Sequence, residues 1–405
     1  MKTVGIICEY NPFHNGHLYQ INKAKELTGA DYVVAIMSGN FVQRGTPAII
    51  DKHTRTKICL ENNIDLVIEL PVHFSTASAE FFAEAAINIL DKMNIIDFIC
   101  FGCEHNDLKL LNDIADFLLY EPDEYARLLK FHLSNGLSFP KSRENALIKH
   151  FKNDLDISNV ISSPNNILAI EYLKAIKKFK SPIIPFGIKR IGSGYNEQGV
   201  KGAFSSATSI RNYIRTNPES YIEIQHTVPY DISDSIRFPI YDDDFSILLG
   251  QKLIENVSFD HIFDITESLG KRINNLKNEF ISYLLFSEEL KTKNTTLTSI
   301  NRALIHILLD IKKSEVCNYI ENGYIYYLRI LGFKKTSSQL LNKLKASTKL
   351  PIISKFADFD LLLDDKGISM LKKNLEADNL YRMVLMNKYK IKIPNEYKMG
   401  IIINS

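Results

Sequence analysis

Five short runs dense in Val, Ile and other apolar residues punctuate the first half of the chain: Thr3–Cys8, Tyr32–Met37, Leu66–Leu70, Ile95–Phe101 and Ile183–Ile191. Gly, Pro or Asn bound them, and each predicts a strand buried on both faces. Between them apolar residues recur at helical spacing over His17–Thr28, Lys52–Asn62, Ala79–Met93, Leu108–Leu119 and Asn165–Phe179. Near-continuous strands alternating with helices predict an α/β fold, a Rossmann-like parallel sheet covered on both faces. After Asn217-Pro218 the spacing turns mostly helical, as in Phe245–Ile254, Leu276–Leu290 and Ser299–Ile311. Two domains are therefore expected, an α/β domain over 1–225 and a mainly α-helical one over 226–405. No internal repeat or low-complexity segment is apparent.

Composition narrows the class. The 405 residues are 45% hydrophobic and 24% charged, the balance of a soluble globular protein, and the net charge of +2 makes no global case for nucleic acid. The five cysteines sit mostly in apolar runs, which predicts reduced thiols in a cytoplasmic protein; Cys100-Phe101-Gly102-Cys103 has the spacing of a metal pair but no second pair, so no metal site is expected. No stretch approaches the about 20 apolar residues of a membrane span. Locally the charge is uneven: Lys271 to Leu350 holds fourteen Lys and Arg against six Asp and Glu. Lys334, Lys335, Lys343 and Lys345 lie beside Tyr324, Tyr326, Tyr327 and Phe333, an interleaving that suits RNA phosphates and unstacked bases. It equally suits a solvated helix face over an aromatic core.

The candidate chemistry begins at the first strand. Glu9-Tyr10-Asn11-Pro12-Phe13 reads as a tight loop after Thr3–Cys8, and the helical pattern starts at Gly16. His14-Asn15-Gly16-His17 thus sits at a strand-to-helix turn, where free N–H groups and the helix dipole favour an anion. Two imidazoles there can hold non-bridging oxygens of a phosphate while its phosphorus becomes pentacovalent, and Gly16 lets backbone approach it. A second such turn is Ser205-Ser206-Ala207-Thr208-Ser209-Ile210-Arg211. Its hydroxyls cap a helix, and with Arg211 they can also hold the outer phosphates from the opposite side. Gln43-Arg44-Gly45 and the helix bearing Lys52, Arg55 and Lys57 form a further basic cluster, open to a small anion, a phosphate, RNA or plain solvent.

The histidine loop paired with the S-S-x-T-x-I-R segment resembles the nucleotidyltransferase superfamily. Longer segments resemble one family closely: Gly5 to Leu18, Met37 to Pro47, Asp51 to Lys57, Phe101 to Glu104, Ser163 to Asn166, and Gly332 to Lys345. That family is the bacterial tRNA(Met) cytidine acetate ligases, and the resemblance spans essentially the whole chain. It implies an ATP-dependent enzyme in which acetate attacks the α-phosphate, releasing pyrophosphate. The acetyl group then passes to N4 of the wobble cytidine of elongator tRNA(Met), and AMP leaves. Carried onto this sequence, the family's ATP contacts are Ile7, Cys8, Glu9, Tyr10, Asn11, Pro12, Phe13, His14, Asn15, Gly16, His17, Leu18, Tyr19 and Gln20, then Gly102, Asn165 and Arg190. Ser205, Ser206 and Thr208 join them from the second turn. His14, His17 and Arg211 are the expected catalytic groups, and Lys334, Lys335, Lys343 and Lys345 the expected tRNA contacts. Mg²⁺ is expected with the triphosphate, without a carboxylate cage of its own. Elongator tRNA(Met) and acetate are the expected partners, with no membrane and no obligate protein partner. A small-molecule adenylyltransferase of the same superfamily is the alternative, and a non-catalytic RNA-binding protein a third reading.

Overall fold

A computed structural model describes residues 1–151, 154–191, 202–218, 220–357 and 359–405. Its centre is one sheet. Strands β1 (Thr3–Cys8), β2 (Tyr32–Ser38), β5 (Leu66–Leu70), β6 (Phe98–Cys103) and β7 (Ile184–Lys189) run parallel in the order β5-β2-β1-β6-β7. A two-stranded ribbon of β3 (Phe41–Val42) and β4 (Thr46–Pro47) follows β2. Strand β2 shows why such runs read as continuously apolar. Its Val33, Ala35 and Met37 pack into the core on one face, its Val34 and Ile36 into the core on the other.

The chain winds outward from β1 through β2 to β5, then returns to lay β6 and β7 on the other side. Ligands in open parallel sheets bind where that order reverses, outside the carboxyl ends of the strands. Here the reversal falls between β1 and β6. The two strands pair only at Val4 with Phe98 and Gly5 with Ile99, so beyond that point they part and open a crevice.

The later half of the chain does more than add helices. Strand β8 (Leu328–Lys334) pairs antiparallel with β5, with β9 (Ile352–Ile353) and β10 (Ile402–Asn404) beside it, so the sheet is completed from far along the chain. Other differences from the sequence reading are local. The strand expected at Ile95–Phe101 lies at Phe98–Cys103, and the helix expected over Leu276–Leu290 is confined to Tyr283–Leu290, where Ser282 caps a fresh start after an earlier helix, Glu267–Leu276, has ended in a 3₁₀ turn at Lys277–Glu279. Helices Asp123–Ser134, Phe139–Phe151 and Asp154–Ser162 were not anticipated.

The expected basic cluster on the helix Lys52–Glu61 is resolved in an unexpected way. Lys52 is fully buried, and its ammonium meets Glu69 at 2.9 Å, Glu396 at 3.3 Å and Asp378. Arg55 is buried too, donating to main-chain carbonyls, while Lys57 alone is the solvated one, near Glu61. Removing Lys52 leaves three carboxylates buried without their shared cation. Lys52→Met is therefore expected to cost about 3–5 kcal/mol, read as a lower urea midpoint at unchanged slope. A loss under 1 kcal/mol would show that the cluster is not a support of the fold.

Candidate active site at the crevice between β1 and β6

The loop leaving β1 is anchored main chain by main chain. The Arg55 guanidinium donates to the carbonyls of Glu9 (2.6 Å), Ser38 and Ile50 (3.0 Å each) and to that of Gly39, tying the loops after β1 and β2 together. Arg211 donates to the Asn11 carbonyl at 2.6 Å, and the Tyr230 hydroxyl to that of Phe13 at 3.1 Å. Underneath, Tyr10 and Phe13 pack edge to face in the core. The helix then begins at Asn15, one residue earlier than its apolar pattern suggests, because His14 caps it.

That cap fixes the chemistry of both imidazoles. His14 Nδ1 accepts from the Gly16 N–H at 3.1 Å, and His17 Nδ1 accepts from the His14 N–H at 3.2 Å. With both δ nitrogens serving as acceptors, the ring protons reside on Nε2. The rings stack with centroids 3.6 Å apart. Burial, then Arg190 and Arg211, push the His14 pKa down to about 3; burial, then His14 and Arg190, hold His17 well below its usual value. The pair is neutral at pH 7, two Nε2–H donors rather than two cations.

Around them the crevice opens into an open cleft of about 1430 Å³ and an adjoining lobe of about 450 Å³. The smaller lobe is bordered by Tyr19, Gly16, Ser205, Phe204 and Ile188–Ile191; the larger one brings in Ile7–Asn11, Gln43, Arg44, Asn165, Tyr172, Thr208 and Arg211. His14, Gln20, Gly102, Arg190 and Ser206 border both. Most of the expected residues thus converge from five parts of the sequence. Gly102 lies inside β6 rather than after a strand, paired with Ile188; Asn165 is the second residue of the helix Pro164–Lys178; Arg190 follows β7.

Ser206 caps the helix Ala207–Thr216 by accepting from the Ser209 N–H at 3.1 Å, and Thr208 accepts from Arg211 at the same distance. Four expected residues act from behind the wall. Pro12 and Phe13 are buried beneath it and Leu18 packs on the core. Asn15 donates to the carbonyls of Ala203 (3.0 Å) and His226 (2.9 Å), drawing the Ser205-Ser206 loop onto the histidine turn.

Several groups escaped the sequence reading. Glu104 accepts from the Asn165 amide and from the Asn166 N–H at 3.2 Å, while Asn166 Oδ1 accepts from the Glu104 N–H at 3.0 Å. The adjacent Asn165-Asn166 was the available signal, and which of the two is buried was not. Gln43 and Arg44 do reach the cleft. Their ribbon is seated by Gly45, whose φ of +73° suits glycine and where a Cβ would stand 2.1 Å from the Arg302 nitrogen. The lysines expected to meet RNA lie elsewhere. Strand β8 runs antiparallel to β5 and ends with Lys334 bonded to the Asp65 carbonyl, so Lys334 and Lys335 stand at the sheet edge opposite the cleft. The helix carrying Lys343 and Lys345, Ser338–Ser347, follows directly from there.

The neutral pair has a pH consequence. A histidine whose pKa is lowered on folding gives its full stability above the unfolded value of about 6.5, and loses it as pH falls toward the folded value. His14 should therefore hold a neutral, Nε2-protonated ring down to about pH 4 without ligand. Imidazole ¹⁵N shifts report this directly; an imidazolium signal for His14 at pH 6 would contradict the geometry.

Comparison with known proteins agrees with this architecture. The HIGH Nucleotidyl Transferase family model matches residues 1–396. The tRNA(Met) cytidine acetate ligase of Acetivibrio thermocellus is 41% identical over the full length of both chains, and that of Thermosipho melanesiensis 39% over 99% of each. Among solved structures, apo Thermotoga maritima TmcAL superposes with a TM-score of 0.94, at 32% identity and complete coverage of both chains. The same protein bound with alpha-thio ATP gives 0.90 at the same identity and coverage.

Proposed function

Because the chain belongs to the HIGH nucleotidyl transferase family and, within it, to the tRNA(Met) cytidine acetate ligases, we propose the following chemistry for its cleft. The enzyme is an ATP-dependent ligase that activates acetate and modifies tRNA(Met). ATP lies across the two lobes, its adenosine in the smaller one against Gly102, Ile188 and Phe204, and its α-phosphate above the histidine pair. An acetate oxygen attacks the α-phosphorus from the larger lobe, and pyrophosphate leaves toward Ser206, Thr208 and Arg211. The observation that carries this reading is the capped pair itself: His14 and His17, locked as Nε2–H donors in the cleft that Arg190 and Arg211 also line, stabilise charge on the pentacovalent α-phosphate. Such prearranged donors need no reorganisation as charge develops.

Acetyl-adenylate then meets N4 of the wobble cytidine, which must be unstacked to enter. The larger lobe, open to solvent and walled by Phe82, Phe101, Leu168 and Tyr172, has the apolar faces for a base. In this reading the labour divides near residue 225, with nucleotide chemistry before it and RNA contacts after it. Lys334, Lys335, Lys343 and Lys345, at the far sheet edge, hold phosphates remote from the reacting base. Mg²⁺ enters with the triphosphate as part of the substrate. Among the described residues no group of three or more His, Cys, Asp or Glu is placed to hold a metal, and one carboxylate, Glu9, borders the cleft. No described helix is long and apolar enough to cross a membrane, and we place the enzyme, with its tRNA, in the cytoplasm.

Incubation with labelled acetate, ATP and unmodified tRNA(Met) should put label on the wobble cytidine. His14→Ala or His17→Ala should lower it about 10²–10³-fold, the range for loss of one such donor. Charge reversal at Lys343 and Lys345 should lower labelling of tRNA more than it lowers acetate-dependent AMP formation. AMP formation without labelled tRNA would leave the adenylate chemistry standing and overturn the acceptor.

A further inference from the structure

Glu9 is the single carboxylate among the described residues that border either lobe of the cleft, where Arg44, Lys189, Arg190 and Arg211 are the cations. The proposed substrates there, a triphosphate and acetate, are both anions. A carboxylate beside them opposes their binding unless it serves something that brings a proton or a positive charge. Glu9 is also held in place rather than left to swing away. Its carbonyl accepts from Arg55 at 2.6 Å, and its Oε1 accepts from the N–H of Gln43, another cleft residue, at 2.8 Å. Among the described residues no donor occupies Oε2.

The one reactant that carries protons to be lost is the acceptor amine. From this we infer that Glu9 is the proton acceptor of the second half-reaction. This rests on the acetyl-transfer reading above. The N4 lone pair forms the new C–N bond at the acetyl carbonyl carbon. The bond from that carbon to the phosphate oxygen breaks, and its electron pair departs with AMP. The proton released from N4 passes to Glu9 Oε2 and from there to solvent. The same oxygen, accepting from the exocyclic amine before the attack, orients N4 and favours a base bearing an amine over one bearing a carbonyl, which offers no proton at that position. Glu9 thus contributes both to proton transfer and to the choice of cytidine. Its position directly after β1 and beside the histidine turn puts it in the larger lobe, the one through which the proposed acceptor enters.

Glu9→Gln tests this with little disturbance, since the glutamine oxygen still accepts from the Gln43 N–H. Two rates are compared. One is acetate-dependent pyrophosphate release without tRNA; the other is single-turnover acetyl transfer from supplied acetyl-adenylate to tRNA(Met). The variant should lose at least about 10²-fold more in transfer than in pyrophosphate release, the scale of general-base catalysis. Glu9→Asp, which keeps the base but shortens its reach, should recover part of the transfer rate. A parallel loss in both steps, whether or not added Mg²⁺ restores it, would overturn the inference and mark Glu9 as a phosphate-side or metal-side group. Transfer at the wild-type rate would overturn it as well. Failure of the wild type itself to acetylate tRNA(Met) from acetyl-adenylate would instead dismiss the underlying reading, before any variant is made.

Discussion

Two cations buried beneath the carboxyl edge of the sheet set the terms for everything above them. Arg55 cannot lose its charge, so in the interior it must be met by acceptors on all sides. It finds them in the carbonyls of the two loops that flank the crevice, those after β1 and β2. Lys52, one turn earlier on the same helix, finds them in carboxylates from β5 and from the end of the chain: Glu69, Asp378 and Glu396. Neither loop can shift without exposing a guanidinium to unsatisfied contacts. The histidine turn therefore stands on a platform built by residues more than three hundred positions apart, and the later half of the chain is a structural partner of the nucleotide cleft.

Rigidity of that kind matters in the proposed reaction, where the histidines act as neutral donors. A cationic imidazole could find a phosphate from many directions by charge alone, whereas a neutral N–H must already point at it. Both rings are aimed by the same device, a backbone N–H held on Nδ1, and burial, reinforced by the nearby Arg190, keeps them neutral. Charge comes instead from Arg190 and Arg211, and Arg211 also closes the loop by holding the Asn11 carbonyl. Helix capping, tautomer choice and the anion binding proposed for this turn are one arrangement.

Much of this was legible in the sequence. Strands of a doubly covered parallel sheet announce themselves by unbroken apolar runs, and Thr3–Cys8 and Leu66–Leu70 fall where their composition says. The histidine turn is local, four residues after a tight loop, so its geometry follows from neighbours. What stayed hidden depended on distant partners. Lys52 and Arg55 look like a solvated basic face until Asp378 and the loop carbonyls are placed beside them. Leu328–Lys334 sits in a stretch read for its charge, and only its pairing with β5 shows it to be the sheet's antiparallel strand. That pairing carries Lys334 away from the cleft, a placement no local pattern contains. Glu9, adjacent to the most informative motif of the chain, was visible as a residue but not as the lone acid of an anion site, because that distinction requires the whole lining.

The central claim is that the crevice between β1 and β6 performs acyl activation at the α-phosphate, independently of RNA. Exchange of labelled pyrophosphate into ATP, followed in the absence of tRNA, tests it most directly. The account predicts exchange that requires acetate and disappears in His14→Ala. Exchange that proceeds equally without acetate, or that appears only when tRNA(Met) is added, would contradict it.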